Sequence, residues 1–376
     1  MRHKRHRPKK RLPGWTNPLV YGAIRAGAAG LNTIGVEPAM RFTRGIAPLF
    51  AKFFVSRARF QRAVDNLSWC FPSWDPQTVR EHALESYKHM ACLASEIALA
   101  PRLLSEDGYA LHVEVGDLGP GLEALRHGKP CIFITGHAGN WELLGYTLAA
   151  LGFPMHALFR PLDLPALNDW LFRTRSRRGI TLVDKFGAAE RLPAILERGL
   201  PVGFIADQNA GDRGLFVPFF NRLSSAYKTI GLLAMRYGAP VVCGHAMRLS
   251  GIDADARGGP GSDAARASRN AGLFRYRIDV VDVVRPEDWA DQPDPLFYIT
   301  ARYRRAIETM VRRAPEQYLW MHRYWKSRPR HEREGRPFPA QLREKIAALP
   351  WVDEEDVQTI VDRSARDARE IAATAR

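Results

Sequence analysis

Residues 131–144 read CIFITGHAGNWELL. Cys131-Ile132-Phe133-Ile134-Thr135 is an apolar run of strand length, Gly136 opens a turn, and Asn140 stands where it can cap a helix beginning at Trp141. Strand, tight turn and helix start set His137 and Glu142 beyond the carboxyl end of a strand, where open α/β sheets bind ligands. With the turn folded back, the Glu142 carboxylate can fix the tautomer of the His137 ring and favour its protonated form. The other ring nitrogen is then free to take a proton from a substrate hydroxyl. His137 and Glu142 are therefore the expected catalytic pair.

The same grammar continues on either side. Leu111–Val115, Met155–Phe159, Ile180–Val183, Pro201–Ala206, Pro240–Ala246 and Leu273–Val284 read as strands. Helical stretches lie between them at 120–126, 141–151, 165–178, 188–197 and 226–236, and 296–313 follows the last strand. Strand–helix units of this length predict an α/β fold with a central mixed, mostly parallel sheet flanked by helices. Upstream, 57–67 and 75–99 read as helices; His82 and His89, seven apart, are expected as surface or packing residues rather than metal ligands. Gly251–Gly272, rich in Gly, Ala, Ser, Asp and Arg, reads as an exposed, mobile insertion. Residues 329–339 read as a charged linker and 341–376 as an exposed helical tail. The expected division is 1–56, 57–329 and 330–376.

The chain has 376 residues, 46% of them hydrophobic, enough for one large core with an appended piece. Its 4 cysteines are scattered, so neither a disulfide framework nor a zinc spacing is present, which fits a reducing compartment. Net charge is +15, and seven basic residues fall within the first eleven. Such an arm suits nucleic acid or an anionic membrane. The following stretch, Leu12–Phe54, is rich in Gly, Ala, Leu and Phe but is broken by Arg25, Glu37, Arg41 and Arg44, so no apolar run reaches the roughly 20 residues of a spanning helix. One or two interfacial helices are expected, with the basic arm on the anionic leaflet. A nucleic-acid partner is not expected, because the arginines beyond the arm are dispersed among apolar helices and no recognition module is visible.

Other groups gather near the histidine. Arg160 ends the strand after it and should emerge at the same edge, either to hold an anion or oxyanion or to close a salt bridge. Asp207 and Gln208 end another strand; Asp207 can orient a donor or cap the turn. Phe216, Phe219 and Phe220 form an aromatic run that is either an apolar wall for a lipid chain or plain core. Arg213 and Lys228 can meet an anionic head group, and Glu316, His322, Arg323 and Lys326 offer polar contacts beside aromatic ones. No G-x-S-x-G elbow, dinucleotide or P-loop glycine pattern, or H-E-x-x-H is present. No cofactor or metal is expected, and direct attack of a hydroxyl on an activated acyl group, with a thioester as a fitting donor, remains.

GHAGNWE at 136–142 resembles the His-x4-acid block of glycerolipid acyltransferases, and more specifically that of the bacterial lipid A biosynthesis lauroyl and myristoyl transferases. Further blocks match in order: Phe159-Arg160-Pro161, Asp207-Gln208, Phe216–Phe220, and Pro315-Glu316-Gln317 with Trp320, His322, Lys326, Arg328 and Pro329. The resemblance implies a glycerolipid acyltransferase-like fold, His137 as general base with Glu142 supporting it, and a monotopic or peripheral enzyme on the cytoplasmic face of the bacterial inner membrane. It implies acyl carrier protein as donor and an acylated, anionic saccharolipid as acceptor; acyl-CoA with a phospholipid or glycolipid acceptor is the alternative. Asn221–Ala226, Leu162–Pro165 and the glycine-rich insertion depart from the family pattern near the acceptor and chain surfaces.

Overall fold

The computed structural model describes residues 16–54, 56–104, 108–125, 128–162, 164–176, 179–249 and 274–374. The basic arm and the glycine-rich insertion lie outside the described residues. Four helices come first: α1 (Thr16–Thr33), α2 (Val36–Phe54), α3 (Arg57–Cys70) and α4 (Pro76–Leu103). The α/β body follows as β1 (Val113–Val115), α5 (Gly119–Ala124), β2 (Cys131–Thr135), α6 (Trp141–Ala150), β3 (His156–Phe159), α7 (Pro165–Ser176), β4 (Thr181–Asp184), α8 (Ala188–Glu197), β5 (Pro201–Ile205), a hairpin of β6 (Leu215–Phe219) and β7 (Arg222–Ala226), α9 (Lys228–Tyr237), β8 (Val241–Arg248) and β9 (Tyr276–Val284). The chain closes with α10 (Pro286–Ala290), α11 (Pro295–Arg313), α12 (Arg330–Arg333), α13 (Ala340–Ala347) and α14 (Glu354–Thr374).

Seven strands form one sheet in the order β1-β9-β8-β2-β5-β3-β4. Every neighbouring pair is parallel except β8 with β9. The mixed, mostly parallel sheet is the one expected. β2 shows why its sequence is continuously apolar: all five residues are buried, with Ile132 and Ile134 facing one core and Cys131 and Phe133 the other. The first core packs under α11 and the aromatic Tyr318, Trp320 and Tyr324; the second lies beneath α6.

Asp75 caps α4 through Gln77 and Thr78, and Pro76 sits at its first position. The buried face of α2, with Ala39 and Met40, packs towards Cys92 and Leu99 of α4. Its other face carries exposed Phe42, Ile46 and Leu49, and α1 exposes Leu19, Val20 and Ile24. Among the described residues no helix is long and apolar enough to cross a membrane.

One element was not read from the sequence, and one reading needs correction. Residues 215–226 form a hairpin, with Phe220 and Asn221 both at positive φ in its turn. The tail is helical, yet one face of α14 is buried. Asp367 takes a bidentate pair from Arg222, at 2.9 and 2.5 Å, and a further contact from the Arg328 guanidinium, which also binds Glu332 at 2.7 and 2.9 Å. His331 and Glu332, in the expected linker, are buried too.

Candidate active site

β2 and β5 run parallel with Thr135 opposite Ile205. His137 and Asp207 each stand two residues past those partners, so strand register alone brings them together. Asp207 Oδ2 accepts the backbone N–H of His137 at 3.0 Å, and Oδ1 lies 2.7 Å from Nδ1 of the ring. A carboxylate on Nδ1 requires the proton there, which leaves the Nε2 lone pair for chemistry. Asp207 is fully buried. Burial by itself would raise its carboxyl, but the charge and hydrogen bonds of His137, with Arg304 behind, outweigh that and hold it at about 2. The ring packs edge-on against Trp141, centroids 4.7 Å apart.

Glu142 does not supply the ring's carboxylate. It binds Arg175 of α7, Oε2 to Nε at 2.8 Å and Oε1 to Nη2. The helix start that presents it turns it towards α7, while Asn140 caps that start by accepting the N–H of Leu143 at 2.8 Å.

The turn holding His137 rests on buried polar groups. Gly139 has φ 63°, and a Cβ there would meet the carbonyl oxygen of Ala246 at 2.0 Å, so only glycine fits. Its own carbonyl accepts from Nε2 of His89 at 3.1 Å. Asn140 Nδ2 and the Tyr276 hydroxyl both donate to Glu96, at 2.7 and 2.6 Å, and Arg248 pairs with the other oxygen of Glu96 at 2.6 Å. Gln317 exchanges two hydrogen bonds with the backbone of Arg248, at 2.8 and 2.9 Å. His82 and His89 are thus packing residues, both buried.

A cavity of about 310 Å³ opens beside the ring. His137, Trp141, Glu142, Arg160 and Arg175 line it at the carboxyl edge of the sheet. Leu148, Met155, Ile180 and Leu182 carry it towards the opposite edge, alongside β3. Five residue steps from Met155 to Arg160 make that course roughly 16 Å long. Leu171 and Phe172 of α7 and Gly203 and Phe204 of β5 complete an apolar lining.

The other expected site residues divide. Arg160 is exposed at the mouth, and Gln208 is half-buried beside Asp207. His322 is half-buried; burial lowers it, while the charge of Asp207 raises it. Phe219 and Phe220 belong to the core and Phe216 to the hairpin; none lines the cavity, because β6 stands outside the seven-stranded sheet. Glu316 is buried, whereas Arg213, Lys228 and Arg323 are exposed. Lys326 borders a second, open depression of about 520 Å³ with Asn209, Asp212 and Arg333. Sequence reasoning missed Arg175, Arg304, Glu96 and Arg248. The equal offset of His137 and Asp207 from two short apolar strands was the signal for the ring's partner.

The family profile for bacterial lipid A biosynthesis acyltransferases matches residues 16–252, and the chain belongs to that family. It is an acyltransferase of lipid A biosynthesis. It is 24% identical to a lipid A biosynthesis acyltransferase of Haemophilus influenzae over 273 residues, covering 69% of this chain and 73% of the relative. It is 25% identical to the lipid A biosynthesis palmitoleoyltransferase of Escherichia coli, covering 74% and 82%. With the lauroyltransferase of the same organism the identity is 26%, covering 76% and 84%.

Proposed function

We propose that the chain moves a fatty acyl group from an acyl thioester, with acyl carrier protein as the donor, to a hydroxyl of a lipid A-like anionic acceptor, and that His137 is the general base. One observation carries this: an imidazole fixed through Nδ1 by a buried carboxylate and lining an apolar cavity. Nε2 takes the acceptor's hydroxyl proton as that oxygen attacks the thioester carbonyl. The tetrahedral intermediate collapses by breaking the C–S bond, and the imidazolium returns the proton to the departing thiolate. Asp207 stabilises the ring while it is charged. The cavity suits the acyl chain, and Arg160 at its mouth suits an anion or the developing oxyanion. The exposed apolar residues of α1 and α2 suit the cytoplasmic surface of the inner membrane.

The test is transfer by purified protein from acyl carrier protein thioesters and from acyl-CoA, with the lipid product identified by mass spectrometry. His137→Ala should fold, bind membranes and transfer nothing. Normal transfer by that variant would overturn the assignment, and a faster reaction with acyl-CoA would reverse the choice of donor.

A further inference from the structure

Behind Asp207, on the side away from His137, lies a second charge. Arg304, in the middle of α11, is fully buried. Its Nη1 donates to the carbonyl oxygens of Asp207 at 2.6 Å and Ala206 at 3.2 Å, and its Nη2 donates to Ser224 Oγ at 3.0 Å. The guanidinium lies over the Phe219 ring, 4.0 Å from the centroid. Among the described residues no carboxylate oxygen lies within ion-pair distance of it. A guanidinium is charged at every working pH and is costly to bury without an acid to balance it.

We propose that Arg304 is a positioning residue for acyl transfer: its bonds to the main chain of residues 206 and 207 hold the Asp207 carboxylate where it orients His137, and its charge balances that carboxylate. The proposal rests on the reading of His137 as the base.

The surroundings leave the balancing role to Arg304. The titratable groups facing Asp207 are His137 from the β2 turn, Tyr227 before α9, and Tyr318, His322 and Tyr324 from the segment after α11. Burial raises all three tyrosines and lowers His322, so these four are neutral near pH 7. The charges that remain are those of Asp207, Arg304 and, during turnover, His137. The geometric role is as specific. Asp207 spends both carboxylate oxygens on His137, so its position is set from the backbone side, where Nη1 of Arg304 bridges two successive carbonyls and Nη2 is anchored on Ser224.

The experiment uses the full chain and follows kcat, KM, the pH dependence of kcat and thermal melting for Arg304→Met, Arg304→Lys and Ser224→Ala. Arg304→Met should lower kcat about tenfold, part of what general-base catalysis supplies, with KM for the thioester nearly unchanged. Arg304 is among the charges that hold the Asp207 carboxyl down, so without it that carboxyl protonates more readily and the acid limb of kcat should move to higher pH. Arg304→Lys should recover part of kcat and the parent acid limb, since it keeps the charge and loses the fork. Ser224→Ala should lower kcat while leaving the fold intact. Parent-like kcat and acid limb in a folded Arg304→Met overturn the proposal. If that variant does not fold, parent-like values in both Arg304→Lys and Ser224→Ala overturn it. An active His137→Ala overturns the underlying reading instead.

Discussion

Glu142 gives both carboxylate oxygens to the guanidinium of Arg175, so the acid five positions after the histidine ties the first turn of α6 to the last turn of α7 across the apolar cavity. The imidazole takes its carboxylate from Asp207. The two acids should separate in kinetics. Asp207→Asn is expected to lower kcat by about 10²–10⁴ by upsetting the tautomer. Glu142→Gln should cost less turnover, and Glu142→Gln with Arg175→Met should be more stable to urea than the sum of the two single losses, by roughly 1 kcal/mol. Loss of activity in Glu142→Gln that matches Asp207→Asn would return the pairing role to Glu142.

Stability should fall with acid in two stages. Burial holds His89 at about 3, against 6.5 in the unfolded chain, so below pH 6.5 the unfolded chain binds a proton that the native one refuses. Stability therefore drops as pH falls from 6.5 to about 3, on the order of 5 kcal/mol for this group at 1.36 per unit. Asp207, held at about 2 against 3.8, contributes its full stabilisation above 3.8 and loses it as pH falls through about 2. His89→Gln should flatten urea midpoints between pH 6.5 and 4, where Asp207 adds no slope. His112, His156, His322 and His331, also lowered by burial, leave a residual trend.

Gly203 of β5 lines the cavity, and a Cβ there would sit 3.6 Å from Cε of Met155, in ordinary contact. Gly203→Ala should be tolerated and should narrow the cavity. Competition among donors of increasing length should then shift towards shorter chains, each displaced methylene costing about 0.8 kcal/mol. An unchanged length profile would place the acyl chain elsewhere.

Phe42, Ile46 and Leu49 share the outer face of α2. Replacing all three by serine should leave the melting temperature nearly unchanged and reduce co-sedimentation with anionic vesicles. Retained vesicle binding would shift the contact to other surfaces.

Asp367 is almost wholly buried and faces two guanidiniums. Asp367→Ala takes the acid from Arg222 and leaves Arg328 with Glu332 alone, and should destabilise the protein by about 3–5 kcal/mol in urea denaturation. A loss below about 1 kcal/mol would make α14 an accessory to the fold.

Much of the architecture was legible because the central strands β2 and β8 are buried on both faces and read as short apolar runs. The 131–144 turn was legible because Gly139 and Asn140 have local jobs. The partner of His137 was not, since Asp207 reaches it only through the pairing of β2 with β5, and a nearer acid satisfied the same chemical argument. Phe219 and Phe220 suggested a lipid wall because sequence carries hydrophobicity but not which sheet a strand joins. Arg304 was hidden among the arginines of α11, where only the packing sets one inward.

Arg25 of α1 lies over the ring of Trp170 on α7, 5.3 Å from its centroid, and Leu171 and Phe172, next along α7, line the cavity. On a bilayer met through α1 and α2, a single helix would separate hydrocarbon from the chain-binding space. A fatty tail could then pass between lipid and protein while scarcely touching water, and the tilt at which α1 settles would be felt at the wall that admits it.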